Sequence, residues 1–274
     1  MNRPIQAHGL RSKVYTPILR AVFRKKYIEG ATRVDFTLDD IRSELIAAGL
    51  QAKNAPDLIY RMKSRTALPE EIQALGFRIL QITGRGKYAL IVGQSTLIEY
   101  PEPREVVTVL DRTPLPVQEL LGPDLGLLDE QAMLSVVRYN DLITHFLQAQ
   151  AFHFKAHIRR SVPGVGQVEV DDLHLAVEST APGQYRPVIV PIEAKAKDDP
   201  VNRVQIAAQI RFAQHEYPGF AVRPITIKLF ADGLLLFMEF NPTTVPDELI
   251  VVGFSHYRLR PTLRVPAEIT AIQV

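Results

Sequence analysis

Residues 188–195 read Val188-Ile189-Val190-Pro191-Ile192-Glu193-Ala194-Lys195. A continuous apolar run of this length predicts a strand buried on both faces. It ends on an acid and a base, which a buried strand normally excludes. A second stretch just upstream has the same character: Gln167-Val168-Glu169-Val170-Asp171-Asp172-Leu173. Strand alternation puts Glu169 and Asp171 on one face, and Glu193 and Lys195 on one face. Burying such groups costs on the order of several kcal/mol each unless they are paired or bind a metal. A divalent cation held between neighbouring strands accounts for both acids and the ammonium.

Around these strands the pattern alternates between sheet and helix. A helix is predicted over Leu128–Gln148, with Ala132, Val136, Ile143 and Phe146 as its core stripe. Strands follow at Phe152–Val162 and Gln167–Val177, joined by the turn Pro163-Gly164-Val165-Gly166. After the strand Pro187–Lys195, a helix runs from beyond Pro200 to about Glu216. Strands at Val222–Phe230 and Leu234–Phe240 complete an α/β sandwich whose core order is α-β-β-β-α-β-β, and a last strand follows at Leu249–Phe254.

In this order and in its charged residues, the segment 125–245 resembles the PD-(D/E)xK nuclease superfamily, which includes many type II restriction endonucleases and archaeal Holliday-junction resolvases. The pieces that carry the resemblance are Glu169-Val170-Asp171 and Glu193-Ala194-Lys195, with 21 residues between Asp171 and Glu193. The proline that the family places before its first acid is replaced by Val170. The resemblance implies an αβββαβ restriction-endonuclease-like core, with Asp171 and Glu193 as metal ligands and the Ala194 carbonyl as a further one. It also implies that Lys195 orients or deprotonates the attacking water. Asp172 competes with Asp171 for the place of first acid. Glu130 is the candidate for an acid on the first helix, with Asp141 as the alternative. Gln205 and Gln209 lie one helical turn apart after the second strand, where related nucleases place a glutamine, and Gln209 is the stronger candidate. Arg138, Tyr139 and Asn140 interrupt the apolar pattern of the first helix and are expected to face the cleft. Hard oxygen donors suit Mg²⁺, with Mn²⁺ as a substitute. In-line attack by a metal-activated water leaves a 5′-phosphate and a 3′-hydroxyl, again as the resemblance implies.

The amino-terminal third has a different charge. Residues 1–95 carry 16 Lys/Arg against 8 Asp/Glu, and the rest carries 16 against 22. A basic module beside an acidic one is a layout of nucleic-acid-docking proteins. Helices are predicted over Lys13–Glu29, with Val14, Ile18, Ala21 and Val22 inward, then after Thr37 to about Ala48, and over Ala55–Met62 behind an Asn54 cap. A short strand at Arg33–Phe36 separates the first two, and Pro69-Glu70-Glu71 opens a further short helix. The strands Phe77–Thr83 and Lys87–Val92 form a hairpin tipped by Gly84-Arg85-Gly86. Three helices followed by a basic hairpin resemble a winged helix. That resemblance implies DNA contacts from Asn54, Arg61, Lys63, Ser64 and Arg65 on or after the third helix, and from Arg85 and Lys87 on the wing.

Between the two lies 96–124, where Pro101, Pro103, Pro114, Pro116 and Pro123 favour an extended linker, with Val106–Leu110 as an edge-strand candidate. The expected domains are therefore 1–95, 96–124 and 125–274.

Several chemistries are excluded. The chain has no cysteine, so it has no disulfide, thiolate metal site or thiol nucleophile. It lacks HExxH, Walker A and GxGxxG sequences. His153 and His157 are four apart in an expected strand, without helical metal geometry. No apolar run reaches the roughly 20 residues of a membrane span, and no signal-peptide pattern is visible. The expectation is a cytoplasmic, nucleoid-associated Mg²⁺-dependent endonuclease of restriction type, acting on double-stranded DNA as a homodimer. A repair or junction-resolving nuclease, and a DNA-binding regulator with a degenerate nuclease fold, are the alternatives.

Overall fold

The computed structural model describes residues 6–64, 68–122 and 124–260, with side chains from residue 14 onward except at 63 and 64. It is an α/β protein with two sheets, one of three strands and one of eight.

The amino-terminal part runs α1 (Gln6–Lys26), β1 (Arg33–Thr37), α2 (Leu38–Ala47), α3 (Ala55–Ser64), α4 (Glu70–Ala74), β2 (Phe77–Gly84) and β3 (Lys87–Val92). Thr37 and Asp40 form a reciprocal capping box at the start of α2. α1 begins earlier than the sequence predicts, and its buried face is Tyr15, Ile18, Leu19, Val22 and Phe23, while Val14 is exposed. That stripe keeps the i, i+3, i+4, i+7 spacing of a single helix face. Asn54 closes a 3₁₀ turn, Ala52–Asn54, that leads into α3. The strands pair antiparallel in the order β1-β3-β2, and the four helices close over them around Leu45, Leu58, Ile72, Phe77 and Leu90.

The stretch expected to be a linker is structured. It contributes β4 (Val106–Leu110) and α5 (Leu115–Leu121). β4 pairs in parallel with the last strand and forms one edge of the large sheet. The junction ahead of it is also tied down. The Ile98 amide donates to the Val201 carbonyl and the Arg203 amide to the Thr96 carbonyl, so residues 96–98 run along the loop that precedes the second long helix.

The carboxyl-terminal part continues α6 (Glu130–Tyr139), α7 (Leu142–Leu147), β5 (Gln150–Val162), β6 (Gly166–Ala181), β7 (Gln184–Ala196), α8 (Arg203–Glu216), β8 (Ala221–Val222), β9 (Ile225–Leu229), β10 (Leu235–Phe240) and β11 (Val251–Arg260). The single helix predicted over 128–148 is broken in two. Asp141 stands at φ 52° between the halves. The break follows from Asn140, whose buried amide donates to Asp111 Oδ1, Thr113 Oγ1 and the Val136 carbonyl, while its Oδ1 accepts from the Arg112 amide. Asn140 therefore anchors the turn between β4 and α5 and does not face a cleft.

The sheet order is β4-β11-β10-β9-β7-β6-β5, with β8 paired to β7 beside it. β5, β6 and β7 form an antiparallel meander. α8 then crosses over to β9, which lies parallel to β7. α6 and α7 pack on one face through Met133, Leu134, Val137 and Ile143 against Val190, Ile192 and Phe237. α8 packs on the other through Ile206, Ile210 and Phe212 against Val170, Ile189 and Met238. The amino-terminal part sits on the α8 side, where α3 and β2 touch α8. Among the described residues no helix is long and apolar enough to cross a membrane.

Candidate active site

β6 and β7 are paired from the Ala181–Gln184 end as far as Asp172 opposite Ile192. Beyond that point the ladder stops, and side chains occupy the fork. Asp171 Oδ2 accepts the Ala194 amide at 2.9 Å, taking a bond a neighbouring strand would otherwise make. On the outer neighbour, β5, His157 has φ 49° and is skipped in the register with β6. Regular alternation therefore fails here. Val170 packs in the α8 cluster, while Asp172, two residues on, lies beneath Arg138 of α6.

Glu193 lies on the α8 side and is 1% exposed. Its Oε2 accepts from Gln209 Nε2, which also donates to the Glu169 carbonyl at 3.0 Å and so ties α8 to both diverging strands. Its Oε1 accepts from Lys195 Nζ. The same ammonium donates to the Ala194 carbonyl at 3.2 Å and stands 3.9 Å from Glu130 Oε1. Asp171, Glu193, Ala194, Lys195, Glu130 and Gln209 thus form one cluster.

Burial sets the electrostatics. It pushes the Glu193 carboxyl up to about 8, helped by Asp171 and opposed by Lys195 and Gln209. Burial also raises the Asp171 carboxyl, against the Ala194 amide and Lys195. Burial works against the Lys195 ammonium, yet the facing Glu193, with Asp171 and Glu130 behind it, holds it above the ordinary lysine value.

The other expected residues go elsewhere. Asp172 is fully buried on the opposite face, where Arg138 Nε and His174 Nε2 approach Oδ2 at 3.1 and 3.2 Å and His153 Nε2 approaches Oδ1 at 2.9 Å. Arg138 and His153 are structural partners of that acid. Asp141 is exposed at the helix break, and Tyr139 is exposed on α6. Gln205 lines a cavity above Lys195, one turn of α8 from Gln209.

On the amino-terminal part, Arg85 and Lys87 are exposed at the hairpin tip and Asn54 is half-buried. Arg61 is held by Asp57 one helical turn earlier, at 3.2 Å, and its side chain is mostly covered. Asp57 in turn accepts from Tyr15 Oη. Arg61 is therefore committed to the α1–α3 junction. Arg65 and the side chains of Lys63 and Ser64 lie outside the described residues.

One residue at the site escaped the sequence reading. Lys228 on β9, directly opposite Lys195 in the ladder, is 2% exposed. It donates to the carbonyls of Lys197 and Asp199, the latter at 2.8 Å, and fixes the loop that leaves β7. A lysine inside the apolar run Ile225-Thr226-Ile227-Lys228-Leu229 was the available signal.

Two carboxylates and a main-chain carbonyl from adjacent strands are hard oxygen donors, and Asp171 Oδ1 takes no hydrogen bond from the described residues. That donor set fits Mg²⁺, which keeps several waters and needs only one or two protein carboxylates. Among the described residues, no three His, Asp or Glu side chains converge as a complete metal cage. The chain matches no protein-family model and no curated protein.

Proposed function

We propose that the protein is a divalent-metal-dependent DNA endonuclease with a PD-(D/E)xK-type catalytic unit and a winged-helix-like DNA-docking unit. The observation that carries this reading is the meeting of Asp171, Glu193 and Lys195 at the fork of β6 and β7. The antiparallel meander followed by a helical crossover to a parallel strand supports it, as does the exposed basic hairpin tip.

In this reading Asp171, Glu193 and the Ala194 carbonyl hold the cation, and Glu130 sits at the outer margin. The bound Mg²⁺ supplies Lewis-acid polarisation of the scissile phosphate and a water of lowered pKa. Lys195 keeps its proton, so it would not deprotonate the water; it would donate a hydrogen bond that orients the attacking water or meets the negative charge that grows on the phosphate oxygens. Gln209 holds the Glu193 carboxylate in place, and the Ala194 amide holds Asp171. Lys228 fixes the loop after β7, so Lys195 projects from a rigid strand end. One such centre cuts one strand, so double-strand cleavage of a restriction type calls for a two-fold homodimer.

The test is plasmid DNA with the protein in Mg²⁺, in Mn²⁺ and in EDTA. Nicked or linear product in either metal and none in EDTA is expected. Intact plasmid and intact branched substrates in both metals sink the proposal. One observation favours a DNA-binding regulator that keeps the fold without the chemistry: both Glu193 oxygens are already engaged by Lys195 and Gln209. That reading predicts DNA binding in EDTA with no cutting in any metal.

A further inference from the structure

β5 (Gln150–Val162) contains no acidic residue, and Lys155, His157, Arg159 and Arg160 are all exposed on it. It is the last strand of the large sheet, so no further strand pairs with its outer side. Local bonds leave most of its charge open. The Lys155 ammonium stands 4.7 Å from the centre of the Phe154 ring. Arg160 uses one nitrogen on the Arg159 carbonyl at 3.0 Å. Arg159 is ion-paired with Glu169 at 3.1 Å, but the two side chains are 70% and 43% exposed, and a pair so open to water is readily exchanged. His157 lies abreast of Asp171, between the pairs Ala156–Asp172 and Ile158–Val170. The buried acids at that point are those already assigned to the metal.

The two parts of the molecule bring their basic elements together at this edge. Val162 pairs with Gly166 at the closed end of β5 and β6. A Cβ on Gly166 would lie 3.2 Å from Ile82 of β2, so β2 runs against this turn. Arg85 and Lys87 of the hairpin tip and Arg160 of β5 therefore flank one contact. Cations also guard edge strands against pairing with another sheet, but that duty requires neither a basic hairpin alongside nor a fork of acids at the other end. From Lys155 to Arg160 the strand covers about 17 Å, the rise of about five nucleotides of a DNA strand at ~3.4 Å each. We infer that the β5 edge is a track for the DNA backbone, on which Lys155, Arg159 and Arg160 meet phosphates between the hairpin tip and the fork, with His157 at the fork end. The identity of the polyanion rests on the nuclease reading.

Fluorescence anisotropy of the full chain with a labelled twenty-base-pair duplex, in EDTA and over a series of salt concentrations, tests this without cleavage. Lys155→Ala with Arg160→Ala is expected to weaken binding at least tenfold and to reduce the slope of log affinity against log salt by nearly two. Lys155→Arg with Arg160→Lys is expected to keep both. Arg104→Ala, exposed ahead of β4 at the opposite edge of the sheet, is expected to change neither. Sedimentation of the alanine variant without DNA reads the guarding role: self-association, with wild-type affinity and slope in its monomer, overturns the inference. So does an unchanged slope in a folded monomer, or a wild-type chain that does not bind the duplex. If the double variant does not melt cooperatively, Arg160→Gln alone serves, with a slope reduced by nearly one expected and an unchanged slope overturning the track. Uncut plasmid with a slope that falls on mutation removes the nuclease reading and leaves the track. Cut plasmid with an unchanged slope removes the track and leaves the nuclease.

Discussion

Lys195 and Glu193 depend on each other. The ammonium is the strongest partner of a carboxylate that burial disfavours in its charged form. Lys195→Ala is expected to lower plasmid cleavage by about 10²-fold or more, in line with losing one charge-stabilising donor. DNA retention in a gel-shift assay is expected to stay within about threefold, because the hairpin cations are untouched. Loss of both binding and cleavage would show Lys195 to be a folding residue. The raised Glu193 carboxyl gives a pH prediction of definite sign. Its folded value, about 8, lies above the ordinary carboxylate value, so between the two the folded chain binds more protons than the unfolded one. Stability from this group is full at acid pH and is lost as pH rises through about 8. Without metal, the melting temperature is expected to fall from pH 5.5 to pH 8.5. A divalent cation that needs the ionised carboxylate is expected to raise it, and to raise it more at pH 8.5 than at pH 6. A Mg²⁺ effect that shrinks with rising pH would contradict the assignment. At this scale Glu193 and Lys195 were legible, because an acid and a base closing an apolar run have few structural reasons to be there. The choice between Asp171 and Asp172 was not. They are adjacent, and only the loss of alternation at the fork sends one to Ala194 and the other to Arg138.

Elements were legible wherever pattern and caps agreed. The capping box opens α2 at Thr37, and the basic hairpin and the β5–β6–β7 meander appear close to their predicted bounds. The predicted helix over 128–148 failed because its break comes from contacts distant in sequence. Asn140 serves the turn of residues 111–113, some 28 positions away. Asn140→Ala removes the acceptor of the Arg112 amide and takes one donor from each of Asp111 Oδ1 and Thr113 Oγ1 in a buried setting. It is expected to destabilise the protein by about 2–3 kcal/mol in urea unfolding. A cost within about 0.5 kcal/mol would mean that water replaces the side chain. Gly126 makes a second element-level case. A Cβ there would lie 2.0 Å from the Ala231 carbonyl oxygen, which is backbone and cannot swing aside. Gly126→Ala is therefore expected to lower the melting temperature by separating the turn before α6 from the β9–β10 turn.

For the whole molecule, the charge asymmetry predicts how DNA would be held under the proposed function. Arg85 and Lys87 are exposed at the hairpin tip, and each phosphate contact contributes about −0.9 to the slope of log affinity against log salt. Replacing both with alanine is expected to reduce that slope by nearly two, with little change in the pH response of the proposed metal site. An unchanged slope would remove the hairpin from the DNA interface. The basic first third, the α/β class, the strand that ends in Glu193-Ala194-Lys195 and the lack of thiol chemistry were determined by the sequence itself, because composition and periodicity are local properties of the chain. Tertiary structure alone decided that the proline-rich stretch supplies an edge strand, that Arg61 is spent on Asp57, that Lys228 braces the loop after β7, and that α3 helps to line a cavity shared with Lys195. Each of these depends on pairing between residues far apart in the chain, where the energy of burying and satisfying a polar group outweighs what its neighbours in sequence favour.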